Sequence, residues 1–90
     1  MAAIRFPLGQ TVITQGALAA LTTQDVVTAI RRHSSGDWGD VCPEDRAAND
    51  AALKDGTRLF SVYKSSDGIR FWVITEADRS VTTFLLPEEY

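Results

Sequence analysis

A two-residue period in the C-terminal third of the sequence constrains the fold more than any other feature. Successive side chains of a β-strand point to opposite faces of its sheet, and residues 57–64 follow this rule. One side of this segment carries Leu59, Ser61 and Tyr63, and the other carries Phe60, Val62 and Lys64. An Asp-Gly pair at 67–68 follows, which is typical of a tight hairpin turn. The sequence therefore predicts that residues 69–75 return antiparallel to this strand.

A third strand completes the pattern. Residues 76–79, Glu-Ala-Asp-Arg, form the next predicted turn, and residues 80–86 form a strand that Pro87 ends. Strands that follow one another through short connections usually pair with their sequence neighbours. We therefore expect a three-stranded antiparallel β-meander.

The middle strand of this meander is apolar on both faces. Phe71 and Val73 fall on one face, and Trp72 and Ile74 fall on the other. Helices are expected to cover one face, because an uncovered sheet would leave its apolar side in water. The second face needs a cover from the loop around Trp38, from another copy of the chain in a homodimer, or from a different partner.

The first forty residues predict a strand and two helices. Residues 10–14 are rich in β-branched side chains and could add a strand to the sheet. Thr14 is then a suitable N-cap for a short helix over residues 15–21. Thr23 is the expected N-cap of a helix over residues 24–33, in which Val26, Ala29, Ile30 and His33 share one face.

The third helix is predicted over residues 44–54. Pro43 suits the first helical position, which needs no N–H donor, and Gly56 suits the left-handed position that ends a helix. Four alanines, at positions 47, 48, 51 and 52, would let this helix approach the sheet closely. Ninety residues make one domain. The predicted fold is therefore α+β, with N-terminal helices packed on the C-terminal meander.

Composition narrows the classes of function. The net charge is −3, with nine basic residues against twelve acidic ones, so direct nucleic-acid binding, which needs a dense basic face, is disfavoured. The single cysteine cannot form an intramolecular disulfide, which favours a reducing, cytoplasmic location. No apolar run approaches the length that spans a bilayer, and the N-terminus lacks the pattern of a signal peptide.

Residues 33–40, His-Ser-Ser-Gly-Asp-Trp-Gly-Asp, form the least generic segment of the chain. A metal site or a small active site could use His33, Asp37, Asp40 and Cys42, with Cys42 activated at a helix N-terminus. The spacing of these residues matches no usual zinc pattern, and no orienting group for a catalytic pair can be named. We therefore expect a protein that is not an enzyme and has no cofactor or metal. The alternative is a small enzyme or ligand-binding module centred on these four residues.

A second motif, residues 75–83, reads Thr-Glu-Ala-Asp-Arg-Ser-Val-Thr-Thr. Glu76, Asp78 and Arg79 could form a charged patch for a partner. The structural alternative is a turn in which Asp78 accepts backbone hydrogen bonds and Arg79 pairs with Asp37 or Asp40.

Residues 33–40, 44–50, 75–83 and 85–90 together resemble a family of small proteins described as plasmid-related or hypothetical, which are carried on plasmids, integrative elements and prophages. The family has no settled biochemical activity, so the resemblance implies a setting and no catalytic residues. Small acidic proteins of such elements include anti-CRISPR and other anti-defence inhibitors. The resemblance thus implies a non-catalytic inhibitor that binds a host protein or ribonucleoprotein effector complex. The expected contact residues are Asp37, Trp38, Asp40, Glu76, Asp78 and Arg79.

Overall fold

The computed structural model of the protein describes residues 4–90 and confirms the α+β class. In chain order the elements are β1 (Gln10–Ile13), α1 (Gln15–Ala20), α2 (Thr23–Ser34), α3 (Pro43–Asp55), β2 (Leu59–Lys64), β3 (Arg70–Thr75) and β4 (Val81–Leu85), followed by a 3₁₀ turn at Pro87–Glu89. No helix within this described part of the chain is long and apolar enough to cross a membrane.

The sheet has four strands in the order β1-β4-β3-β2. The predicted meander is confirmed, because β2–β3 and β3–β4 are both antiparallel. The predicted N-terminal strand is also confirmed, and it lies parallel to β4 with Ile13 opposite Phe84. The first strand of the chain therefore pairs with the last.

The helix boundaries follow the predicted caps with one exception. Thr14 caps α1 by accepting a hydrogen bond from the backbone of Ala17, and Gly56 ends α3 in a left-handed conformation at φ 73°. The predicted cap of α2 at Thr23 is wrong, because Thr22 takes this position. Thr22 and Asp25 form a reciprocal capping box, in which each side chain bonds the other residue's backbone N–H.

The face of the sheet that α2 covers is called the inner face. Tyr63, Phe71, Val73 and Phe84 point to this side and pack with Ala29 of α2 into a buried cluster. The opposite side, the outer face, carries Phe60, Val62, Trp72, Ile74 and Leu85, which are paired across β2, β3 and β4.

Helix α3 lies along the free edge of β2. The buried amide of Asn49 donates to the carbonyl of Phe60 (2.6 Å) and accepts from its N–H (3.0 Å), so it takes the place of a neighbouring strand. The close approach to the sheet that was expected from four alanines rests on one of them. Only Ala52 is buried, and the other three alanines face away from the protein. Contact along a strand edge needs hydrogen bonds as well as small side chains.

Candidate functional site

The only histidine of the chain lies inside the core. His33 ends the apolar face of α2 and is 0% exposed. Its Nδ1 lies 2.6 Å from the hydroxyl of Ser61 on β2, and its Nε2 lies 2.9 Å from the hydroxyl of Thr75 on β3. The imidazole therefore joins α2 to two strands of the inner face.

The hydrogen bonds continue beyond this ring in a fixed direction. The Thr75 hydroxyl lies 2.7 Å from that of Thr82, and Thr82 donates to the carbonyl of Leu8 at 2.7 Å. A carbonyl only accepts and each hydroxyl has one hydrogen, so Thr75 must donate to Thr82. His33 then donates from Nε2 to Thr75. The network thus places a hydrogen on Nε2, and a neutral ring accepts at Nδ1 from the hydroxyl of Ser61.

The surroundings of His33 oppose its protonation. Burial, with a smaller contribution from the positive charge of Arg79, lowers the pKa of His33 to about 4. His33 is therefore held neutral over the physiological range of pH.

The predicted convergence of His33 with aspartates and Cys42 is wrong. Both ring nitrogens of His33 meet hydroxyl groups, while Asp37, Asp40 and Cys42 are exposed. Within residues 4–90, no group of three His, Cys, Asp or Glu residues is placed to hold a metal ion. The backbone at Asp45, in the first turn of α3, lowers the pKa of the Cys42 thiol, but the carboxyls of Glu44 and Asp45 together with desolvation outweigh it, so the pKa is raised. The helix N-terminus is therefore not enough to activate this thiol.

Trp38, a predicted partner contact, is also part of the core and is 3% exposed. Its ring stacks on Phe6 with centroids 6.2 Å apart and meets His33 edge-on at 5.7 Å. Its indole N–H donates to the carboxylate of Asp50 on α3 at 3.1 Å. The prediction that Trp38 contacts a partner is corrected accordingly, since this side chain fixes its loop to the protein.

The two aspartates of the first motif remain at the surface. The guanidinium of Arg32 donates two hydrogen bonds, of 2.8 and 3.2 Å, to the carboxylate of Asp37, and this pairing lowers the pKa of Asp37. The next residues run against β2, where the Asp40 N–H donates to the carbonyl of Val62. A Cβ at Gly39 would lie 2.0 Å from that carbonyl oxygen, so only glycine allows this approach.

The second motif holds α3 to the sheet. Arg79 adopts a left-handed conformation at φ 62° and donates to the carbonyls of Thr57 (2.6 Å) and Ala52 (2.9 Å). The predicted pairing of Arg79 with Asp37 or Asp40 is therefore wrong. Its guanidinium instead caps carbonyls at the C-terminal end of α3, where the helix dipole favours a cation.

The structural alternative for Asp78 is confirmed. Its carboxylate accepts from the hydroxyl of Ser80 (2.6 Å) and from the backbone N–H of the same residue (3.0 Å). These hydrogen bonds lower the pKa of Asp78. The two motifs do meet, but they do so in the core, where His33 bonds Thr75.

A cavity of about 270 Å³ opens on the outer face of the sheet. It is called the outer-face cavity and is lined by Asp45, Arg58, Leu59, Phe60, Trp72, Ile74 and Tyr90. Phe60 meets Trp72 edge-on at 5.1 Å, and Trp72 meets Tyr90 edge-on at 5.5 Å. The three rings therefore form an aromatic wall with open space beside it.

The positive charge at the outer-face cavity is paired, whereas the negative charges in the first turn of α3 are exposed. Arg58 donates to the hydroxyl of Tyr90 (3.0 Å) and pairs with Glu76 (3.2 Å), so its charge is balanced locally. On another side, Asp45 lines the cavity from the first turn of α3 next to Glu44, and both residues are exposed. Glu76 is the only predicted contact residue that takes part in this arrangement.

Part of the lining of this cavity is predicted by the sequence. The alternation in β3 puts Trp72 and Ile74 on a second apolar face. The period of β2 places Phe60 on that face too, because Phe60 lies opposite Ile74 in the ladder. Asp45 and Tyr90 carried no local signal, since their places depend on how α3 and the C-terminal turn pack.

Comparisons of the chain with protein-family models, with curated protein sequences and with solved structures find no match. The resemblance of residues 33–40 and 75–83 to proteins of mobile elements therefore stays a prediction. The surface of the protein itself is the basis for a functional proposal.

Proposed function

We propose that the protein is a non-catalytic inhibitor carried by a mobile genetic element. It binds a basic surface of a host defence effector, such as a CRISPR–Cas complex, and inhibits it. The outer-face cavity carries this proposal, because it joins an apolar aromatic wall to the exposed acidic first turn of α3. Protein interfaces commonly have an apolar centre and a polar rim. The cavity offers both parts on one surface.

The distribution of charge supports a basic partner. Residues 37–55 contain six acidic and two basic side chains, a net charge of −4, whereas the whole chain carries −3. The excess negative charge of the protein thus lies on α3 and the segment before it. A field of one sign attracts a partner of the opposite sign and raises the rate of encounter. Nucleic-acid-binding effectors present such basic surfaces.

The two sequence motifs have a supporting part in this proposal. Trp38 and Arg79 hold the C-terminal half of α3 through Asp50 and Ala52, and they thereby fix the helix relative to the cavity. Asp40 lies at the surface just before α3 and adds to its negative field, whereas the charge of Asp37 is balanced by Arg32. The direct contacts are assigned to Glu44, Asp45 and the rings of the cavity.

Binding to purified effector complexes from hosts of such elements would test the proposal. We expect the wild-type protein to bind one complex and to inhibit it. The double variant Glu44→Lys/Asp45→Lys should bind at least about tenfold more weakly, since rim charges change encounter rates and affinity at this scale. Asp67→Lys, a charge reversal in the exposed β2–β3 turn, is the matched control and should bind as the wild type does.

Tyr90→Ala separates the apolar contact from the charge. Tyr90 is 70% exposed, so its removal should leave the fold intact and still weaken binding. If the charge-reversed and Tyr90→Ala variants both bind as tightly as the wild type, the outer-face cavity is not the interface. If no effector complex binds the wild type, the inhibitor proposal is rejected.

A further inference from the structure

The two edges of the sheet are completed in different ways. At the β2 edge, the Asn49 amide bonds both backbone groups of Phe60. The next outward-facing residue, Val62, donates to the carbonyl of Trp38 (3.0 Å) and accepts from the N–H of Asp40 (2.8 Å). These contacts occupy the backbone groups that another strand would need, so this edge is closed.

The other edge is β1, the last strand in the sheet order. The N–H of Gln10 donates to Ser80 and that of Thr14 donates to Phe84, both of which lie on the β4 side. Backbone groups of a strand alternate in direction, so Thr11 and Ile13 point their N–H and C=O groups away from the sheet. Within residues 4–90, no further strand lies beside β1 on that side.

The segment that contains β1 carries no charged side chain of its own, although Glu89 bonds Thr14 and Gly16 just beyond the end of the strand. Residues 6–24 contain no Asp, Glu, Lys or Arg, in a chain with 23% charged residues. Two apolar side chains within it are exposed, Val12 at 40% and Leu18 at 64%. Proteins protect an edge strand with charged side chains, prolines or bulges, or by keeping it short; β1 is four residues long but has no charged or proline residue.

The charge of the chain bears on which partner can occupy this edge. Two copies of a chain with net charge −3 repel one another over most of their surfaces. Residues 6–24, which carry no charge of their own, are the part that a second copy can approach with the least repulsion. The outward backbone N–H and C=O groups of β1 are also arranged symmetrically, since Thr11 and Ile13 lie on either side of Val12.

We propose that β1 pairs antiparallel with β1 of a second copy, about a two-fold axis at Val12. Thr11 of each chain then lies opposite Ile13 of the other, and each such pair exchanges two N–H···O bonds. The exposed Val12 side chains meet at the axis. The result is a dimer with one continuous eight-stranded sheet, in which both closed β2 edges lie at the outside.

Sedimentation equilibrium from micromolar to millimolar concentration tests this dimer. The apparent mass of the wild type should rise from 9.9 kDa towards twice that value. Thr11→Pro removes an outward N–H and leaves the bonds to β4, and Val12→Lys places two like charges at the axis. Both variants should stay at the monomer mass while circular dichroism shows an unchanged fold. Val27→Lys, on α2 and 37% exposed, is the matched control and should dimerise.

Cross-linking gives a second, independent measurement. Directly opposite residues at the axis have Cα atoms about 4.5 Å apart, which suits a disulfide. In a Cys42→Ser background, Val12→Cys should therefore oxidise to a covalent dimer far faster than Val27→Cys. Three results would overturn the proposal: a monomer at every concentration, a dimer that Thr11→Pro leaves intact, or equal cross-linking at the two positions.

Discussion

The two faces of the sheet reverse the usual relation between residue type and role. On the inner face, a histidine and three hydroxyl groups form a continuous hydrogen-bonded network that is buried among aromatic rings. On the outer face, phenylalanine, tryptophan and tyrosine line an open cavity. Residues that resemble a catalytic site thus hold the core together, and residues that resemble a core are available to a partner. Chemical type alone does not separate a site from a scaffold.

The largest expected effect comes from the centre of the inner-face network. Replacing His33 with alanine leaves a cavity and removes partners from the buried hydroxyls of Ser61 and Thr75. We expect the free energy of unfolding to fall by about 4 kcal/mol, within the range of core truncations and unpaired buried groups. Urea denaturation measures this change. Val27→Ala, on the exposed side of the same helix, should cost less than about 1 kcal/mol, and equal losses would remove the distinction between these positions.

A pH titration of stability probes the same network without mutation. The ordinary pKa of His33 is 6.5 and its folded value is about 4, so the unfolded chain binds a proton at a higher pH than the folded one. Stability from the neutral imidazole is therefore complete above pH 6.5 and is lost as the pH falls to 4. The loss should be about 3 kcal/mol. A His33→Gln variant should lack this slope, and an unchanged slope would assign it to other groups.

On the outer face, Trp72→Ala should cost less stability than His33→Ala. Trp72 is half-buried, and its ring already borders open space in the outer-face cavity. We expect a loss of about 2 kcal/mol in urea denaturation, since partial burial gives up less apolar area. Trp38→Ala is the matched control and should cost about 4 kcal/mol, because that ring is almost fully enclosed. A reversed order would mean that Trp72 supports the fold more than its exposure indicates.

The smallest expected effect is that of Tyr90→Ala. The ring is mostly exposed, although it bonds Arg58 through its hydroxyl. We expect a change below about 1 kcal/mol in the free energy of unfolding. A dye that fluoresces in apolar surroundings should bind the wild type in the outer-face cavity and bind this variant less. A large loss of stability would instead make the C-terminal turn part of the core.

The sequence predicts the helices and strands better than the contacts between them. The period of β2 puts Ser61 on one side with Leu59 and Tyr63, and the pattern of α2 puts His33 on its apolar face, but no local pattern brings Thr75 to them. The parallel direction of β1 could not be foreseen, because it depends on which side of β4 the chain occupies. The burial of Trp38 was also hidden, since it depends on Phe6, which lies far away in the sequence. Local patterns determine what a segment forms, whereas distant packing determines what it touches.

The pairing of β1 with β4 has a consequence for how the protein acquires its structure. The β2–β4 meander contains only local strand pairs, so it can assemble early and quickly. The first strand has no place in the sheet until β4 is formed and in position, since its register joins Gln10 to Val81. During synthesis on the ribosome, the N-terminal segment must therefore wait as an unpaired strand while nearly all of the described chain emerges. The strand that is synthesised first is therefore the last to enter the sheet.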